Sequence, residues 1–182
     1  MIRDRLAKSG FRNSVTTVKR GMILSLGILA TAASARGTVL FAGGAWAAID
    51  RGAVCEALSR SQNIAPRDKV QAEAGVTFTA NGGRQAEVHF RLSRLPRGDA
   101  SVILHVGEQP FLLVTRSGVA WSRGPMQAQA IMEAFRAGTT MRVESRDMAG
   151  VRFSDPYLLD GAPTAIDSAA ARCALRNAGK IQ

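Results

Sequence analysis

The sequence predicts a mainly β domain of the β-rich α+β kind: an antiparallel β-sandwich with one inserted helix and a C-terminal helix. Three observations point there. Apolar and polar residues alternate from Val70 onward, turn-forming clusters punctuate the alternation, and the period becomes helical only twice, both times late in the chain.

In "VQAEAGVTFTA", Val70, Ala72, Ala74, Val76 and Phe78 share one face. In "RQAEVHFRLSRL", Ala86, Val88, Phe90 and Leu92 point one way while Gln85, Glu87, His89, Arg91 and Ser93 point the other. That is the pattern of half-buried antiparallel strands. Asn81-Gly82-Gly83 supplies the turn between them, because Asn and Gly tolerate positive φ. Pro96-Arg97-Gly98 then reads as a three-residue hairpin loop leading into "ASVILHV". A hairpin closed there places Val88 opposite Val106, Phe90 opposite Leu104, Leu92 opposite Val102 and, on the polar face, His89 opposite His105. "QPFLLVTRS" reads as a continuous apolar strand covered on both faces, and "VAWS" as a short strand. "GPMQAQAIMEAFRAG" changes the period: Pro125 opens a helix, Met126, Ala130, Ile131, Ala134 and Phe135 fall at helical spacing, and Gly138 stops it. "TTMRVESRD" and "VRF" form a second hairpin around Met148-Ala149-Gly150. "GAPTAIDSAAARCALRNAG" is a helix opened by Pro163 and stopped near Gly179, with Ile166, Ala169 or Ala170, and Cys173 on one face.

The formal charge of +10 on 182 residues suggests a nucleic-acid partner until it is located. Residues 1–47 carry seven Lys and Arg (Arg3, Arg5, Lys8, Arg12, Lys19, Arg20, Arg36) against Asp4 alone. The remaining domain is nearly balanced, and its basic residues have no interleaved aromatic platforms, which argues against nucleic acid. The basic start, the apolar run "GMILSLGILATAASA" and the small residues after it form a secretory signal. Cuts after Ala35 and after Ala47 both fit. The apolar character resumes at "TVLFAGGAWAA", which favours the second and divides the chain into a leader, 1–47, and one exported domain, 48–182. The alternative is an uncleaved anchor over residues 21–49, long enough for a bilayer of ~30 Å. Such an anchor would hold Arg36 in mid-membrane at a cost of about 2.5–3.5 kcal/mol.

In an oxidising compartment the even cysteine count implies a bridge between Cys55 and Cys173. Chain entropy sets an upper figure of about 5 kcal/mol for so long a loop. Two buried free thiols, or a catalytic thiol, are the alternatives. No C-x-x-C, G-x-S-x-G, H-E-x-x-H or phosphate-binding G-x-x-x-x-G-K is present. Asp155 and Asp160 in "SDPYLLDG" are placed around a turn, where capping is the plainer role. The expected His89–His105 pair, with Glu87 as nearest third ligand, is a weak metal candidate. Arg91 and Arg94 flank the first hairpin; Arg142, Arg146 and Arg152 flank the second. This basic face is a candidate surface for anionic polysaccharide, lipid headgroups or an acidic partner, with a solvated charged face as the plainer reading.

The layout resembles the invasion-associated locus B family of alphaproteobacterial exported proteins. The residues that carry the resemblance are "W…VCE" after the secretion signal, "QAQAIMEAFRAGTTMRVESRD" and the closing "VRFSDPYLLDGAPTAIDSAAARC", together most of residues 46–175. The resemblance implies a periplasmic or surface β-sandwich linked to host-cell invasion in pathogens, with no catalytic residues to carry over. The expectation is therefore a periplasmic or secreted, non-enzymatic protein binding an envelope or host partner, or an anionic surface. It needs no cofactor, metal or nucleic acid and meets a membrane only through an uncleaved leader. The alternative is a small periplasmic enzyme or metal-binding protein using His89 and His105.

Overall fold

The computed structural model describes residues 37–79 and 86–178. The chain is mostly β, with two antiparallel sheets and two helices, as the alternation predicts. Four strands, β1 (Thr38–Gly43), β2 (Trp46–Asp50), β3 (Val54–Arg60) and β4 (Glu73–Thr79), pair in sequence order. The sheet continues through β5 (Glu87–Arg91), then β9 (Val119–Trp121) and β8 (Val114–Arg116). The second sheet has the order β11-β10-β6-β7, built from β6 (Ile103–Val106), β7 (Gln109–Leu112), β10 (Thr140–Arg146) and β11 (Arg152–Leu158).

The β4–β5 register, with Ala74 opposite Phe90 and Val76 opposite Val88, is the one the two alternating runs require. The Asn81-Gly82-Gly83 turn between them lies outside the described residues. The β10–β11 hairpin also forms as expected, with Val143 opposite Asp155. Helix α1 (Pro125–Ala137) starts at its proline and buries Ala128, Ile131 and Phe135, while Met126 is exposed. Helix α2 (Ala162–Ala178) buries Ala162, Ala165, Ile166, Ala169 and Cys173, a stripe at helical spacing.

The core lies between the layers. Helix α2 packs on β1 to β4. Small buried residues there, Ala48, Ala57 and Ala74, let the helix approach the sheet. The four-stranded sheet and α1 complete the enclosure. Trp46 stacks obliquely on Phe135 at 6.1 Å and donates its indole N–H to the Leu158 carbonyl at 2.9 Å. Phe90 meets Tyr157 across the layers at 6.2 Å.

Two expectations are corrected. First, Pro96-Arg97-Gly98 does not close a hairpin. β5 pairs with β4 and β9, and β6 pairs with β10 and β7, so the chain crosses from one sheet to the other. Val88, Phe90 and Leu92, like Val102, Leu104 and Val106, are all buried. Alternation identifies which residues face the core, but two inward rows can meet side by side in one sheet or face to face across two. Second, "QPFLLVTRS" breaks at Leu113 into β7 and β8, one in each sheet. Phe111 and Leu113 are buried while Leu112 and Val114 are exposed, so one face is covered, not both. Residues 38–47, which a 47/48 boundary assigns to the leader, form β1 and the start of β2, with Trp46 only 2% exposed. Most of the last half of the 21–49 segment is therefore sheet and not a spanning helix. Among the described residues no helix is long and apolar enough to cross a membrane.

Candidate functional site

The cysteines form a bridge. Cys55 on β3 and Cys173 on α2 are joined, with Cα atoms 5.8 Å apart and 118 residues between them in sequence. A second clamp lies beside it. Asp50, paired with Cys55 across the β2–β3 ladder, is buried and accepts from Arg172 and Arg176 of α2, each at 2.7 Å. The Gly52 amide also donates to this carboxylate, at 2.8 Å. The Arg172 bond, then the Gly52 bond, hold the Asp50 carboxyl below its ordinary range against the opposing effect of burial. The sequence reading missed this clamp. Arg172 and Arg176 lie four apart on the helix face that carries Cys173, so a bridged cysteine already pointed at them.

The expected histidine pair does not form. His89 stands opposite Gly75 and Trp121 on the seven-stranded sheet, and His105 opposite Arg142 and Pro110 on the other. The His89 ring lies over Gly75, in the space a side chain at that position would need. His105 is near Glu144, with Nε2 3.5 Å from the carboxylate, and Arg142 bonds the same carboxylate at 2.8 Å. Among the described residues no three His, Cys, Asp or Glu side chains gather as metal ligands.

Of the acids of "SDPYLLDG", Asp160 lies in a turn as expected and Asp155 does not. Asp155 lies within β11, fully buried, and accepts the Ser93 backbone N–H at 3.0 Å where the chain passes between sheets. Burial pushes its carboxyl upward, and the Ser93 bond opposes that. Asp160 is exposed; its backbone carbonyl accepts the Ala45 N–H at 2.9 Å and its chain fills the space beside Gly44. Both residues serve the fold's connections.

The basic residues divide into used and available charge. Arg91 on β5 is paired with Glu73 at 3.1 Å and belongs to the other sheet from the second hairpin. Arg94 bonds Asp147 at 2.9 Å and so ties the β5–β6 connection to the β10–β11 turn. Beyond it, Arg146 and Arg152 stand directly opposite each other at the turn end of the β10–β11 ladder. Like charges at a cross-strand pair repel, so this position favours a bound anion. Arg146 donates to the Gly150 carbonyl at 2.9 Å, whereas Arg152 has no hydrogen-bond or ion-pair partner among the described residues.

These two arginines, with Arg97, line an open cleft of about 600 Å³. Ser101, Ser154, Ile103, Phe153 and the acids Asp99 and Glu144 also line it. Arg97 is paired with Asp99 at 2.5 Å, and its backbone N–H donates to the Arg146 carbonyl at 3.0 Å. The sequence reading named Arg142, Arg146 and Arg152 but not Arg97, which it placed in a hairpin turn. The sheet-to-sheet crossover brings Arg97 over the cleft instead. Guanidinium groups and hydroxyls in this arrangement suit a phosphate, sulfate or carboxylate group.

No family model matches the chain, and no curated protein matches its sequence. Among solved structures, the crystal structure of invasion associated protein B from Bartonella henselae is similar, with a TM-score of 0.54 at 16% identity. The likeness covers 74% of this chain and 96% of that one, so the chain shares the fold of invasion associated protein B over nearly the whole length of that protein.

Proposed function

We propose that the chain is an exported, non-enzymatic binding protein of the invasion-associated locus B type, whose arginine cleft holds an anionic group on an envelope or host partner. The observation that carries this reading is the cross-strand Arg146–Arg152 pair with Arg97 above it. Export is supported by the Cys55–Cys173 bridge, a bond that persists in oxidising compartments, and by the basic and apolar leader. The fold supports cleavage after Ala35. That cut leaves β1 and Trp46 in the mature protein, whereas a cut after Ala47 removes a strand and a buried indole. A non-enzymatic role is supported by the use of the buried acids, since Asp50 and Asp155 are both taken up by structural partners.

Retention on heparin, a soluble sulfated polysaccharide, tests the cleft. The exported protein should elute progressively earlier as salt rises, and Arg146→Gln/Arg152→Gln should elute earlier than the parent at every salt concentration. Equal retention of parent and variant would refute the reading. Intact-mass measurement of the exported protein should show a chain beginning at Arg36, with two fewer hydrogens than its reduced form.

A further inference from the structure

We infer that the end of the sandwich formed by the β5–β6 connection and the β10–β11 turn docks on an anionic lipid bilayer. In that pose a lipid phosphate occupies the arginine cleft, while Leu95, Met148 and Val151 enter the interfacial layer. This rests on the anionic reading of the cleft and names the surface that fills it.

The two connections form one tip. Pro96 bridges to Asp147, the Arg97 N–H bonds the Arg146 carbonyl at 3.0 Å, and Arg94 bonds the Asp147 carboxylate. The same carboxylate accepts the Ala149 and Val151 amides at 3.0 and 2.9 Å, so the turn is held internally. Its apolar side chains are therefore presented on a fixed scaffold. Leu95 is 53% exposed, Met148 62% and Val151 54%, all three on connections and none needed by the core.

Two features, found together, favour a bilayer over a soluble anion. Apolar side chains project from the two connections that adjoin the arginines, and a soluble polysaccharide would leave them in water. An interfacial site takes apolar groups several ångströms below the headgroups while basic residues meet the phosphates. The charge balance agrees. Asp147 and Asp99 are paired with Arg94 and Arg97, Glu144 with Arg142, and Arg152 remains without an acidic partner.

Co-sedimentation of the exported protein, its mature mass determined, with phosphatidylcholine vesicles and with two-to-one phosphatidylcholine–phosphatidylglycerol vesicles tests the inference. Binding should require phosphatidylglycerol. Arg146→Gln/Arg152→Gln should weaken it by about thirtyfold, on the order of fivefold per arginine. Leu95→Ser/Met148→Ser/Val151→Ser should weaken it by about tenfold or more and keep the parent's heparin retention and Tm. Parent-like vesicle binding by the serine variant would overturn the docking pose. Heparin retention that depends on the arginines, without any vesicle binding, would overturn the bilayer and leave the anionic cleft standing. Loss of both would remove both.

Discussion

Removing the Cys55–Cys173 bridge tests how the N-terminal strands are held to the last helix. Replacing both residues with alanine avoids burying a hydroxyl where each cysteine is almost fully enclosed. The loop spans 118 residues, for which the chain-entropy relation gives about 4.9 kcal/mol at room temperature. A compact unfolded ensemble reduces that figure, and loss of two buried sulfur atoms adds a small cavity cost. The expected loss is about 3–5 kcal/mol, a large part of the ~5–15 kcal/mol that holds a domain together. Urea unfolding of the parent protein and the double variant, followed by far-UV circular dichroism, measures it. The m-value should rise as well, because an unbridged unfolded chain exposes more surface. A loss below about 1 kcal/mol with an unchanged m-value would refute the reasoning. The Asp50 clamp would then hold α2 on the sheet without help, and the bridge would constrain little of the unfolded chain.

Asp50 and Asp155 should respond to pH in opposite directions. The Asp50 carboxyl is depressed in the fold, so its contribution is present above the ordinary carboxylate range and is lost as pH falls through the lower folded value. Asp50→Asn should flatten the acid limb of a stability-versus-pH curve and cost about 2 kcal/mol at neutral pH. Its partners Arg172 and Arg176 keep contact with water, which limits the loss. The Asp155 carboxyl is raised, so its protonated form favours the fold, and that advantage disappears as pH rises through the folded value. Asp155→Asn retains an acceptor for Ser93 and should match or exceed parental stability at neutral pH, whereas Asp155→Leu should lose about 1–3 kcal/mol in urea titrations. Gly75→Ala should destabilise by about 1–3 kcal/mol through collision with His89. His89→Ala in the same chain should recover part of that loss, as measured by thermal unfolding; no recovery would mean that the ring is not the obstacle.

Much of the architecture was legible in the sequence because one physical rule covered it. A strand half-buried in a sandwich must alternate, and residues 72–78, 88–92 and 141–144 alternate in a way few other structures require. Both helices announced themselves by a proline near the start and a buried stripe. Strands β2 and β3 were harder to see, since their inward residues include Ala48, Ala57, Ser59 and Asp50, too small or too polar to register as apolar alternation. Strand β1 was hidden by the apolar leader that precedes it, whose composition runs on without a break.

The sequence by itself determined the β-rich class, favoured a bridge for the two cysteines and named two of the three arginines that meet at the cleft. Each follows from local spacing, composition or an even count. Tertiary structure decided which sheet each strand joins, and with it every pairing across the chain. That choice separated His89 from His105, moved Asp155 from a turn to the buried seam between sheets and brought Arg97 over Arg146 and Arg152. The physical reason is that burial constrains which way a side chain points but is indifferent to which layer supplies its neighbour. Neighbours across layers become known only when the whole core is assembled.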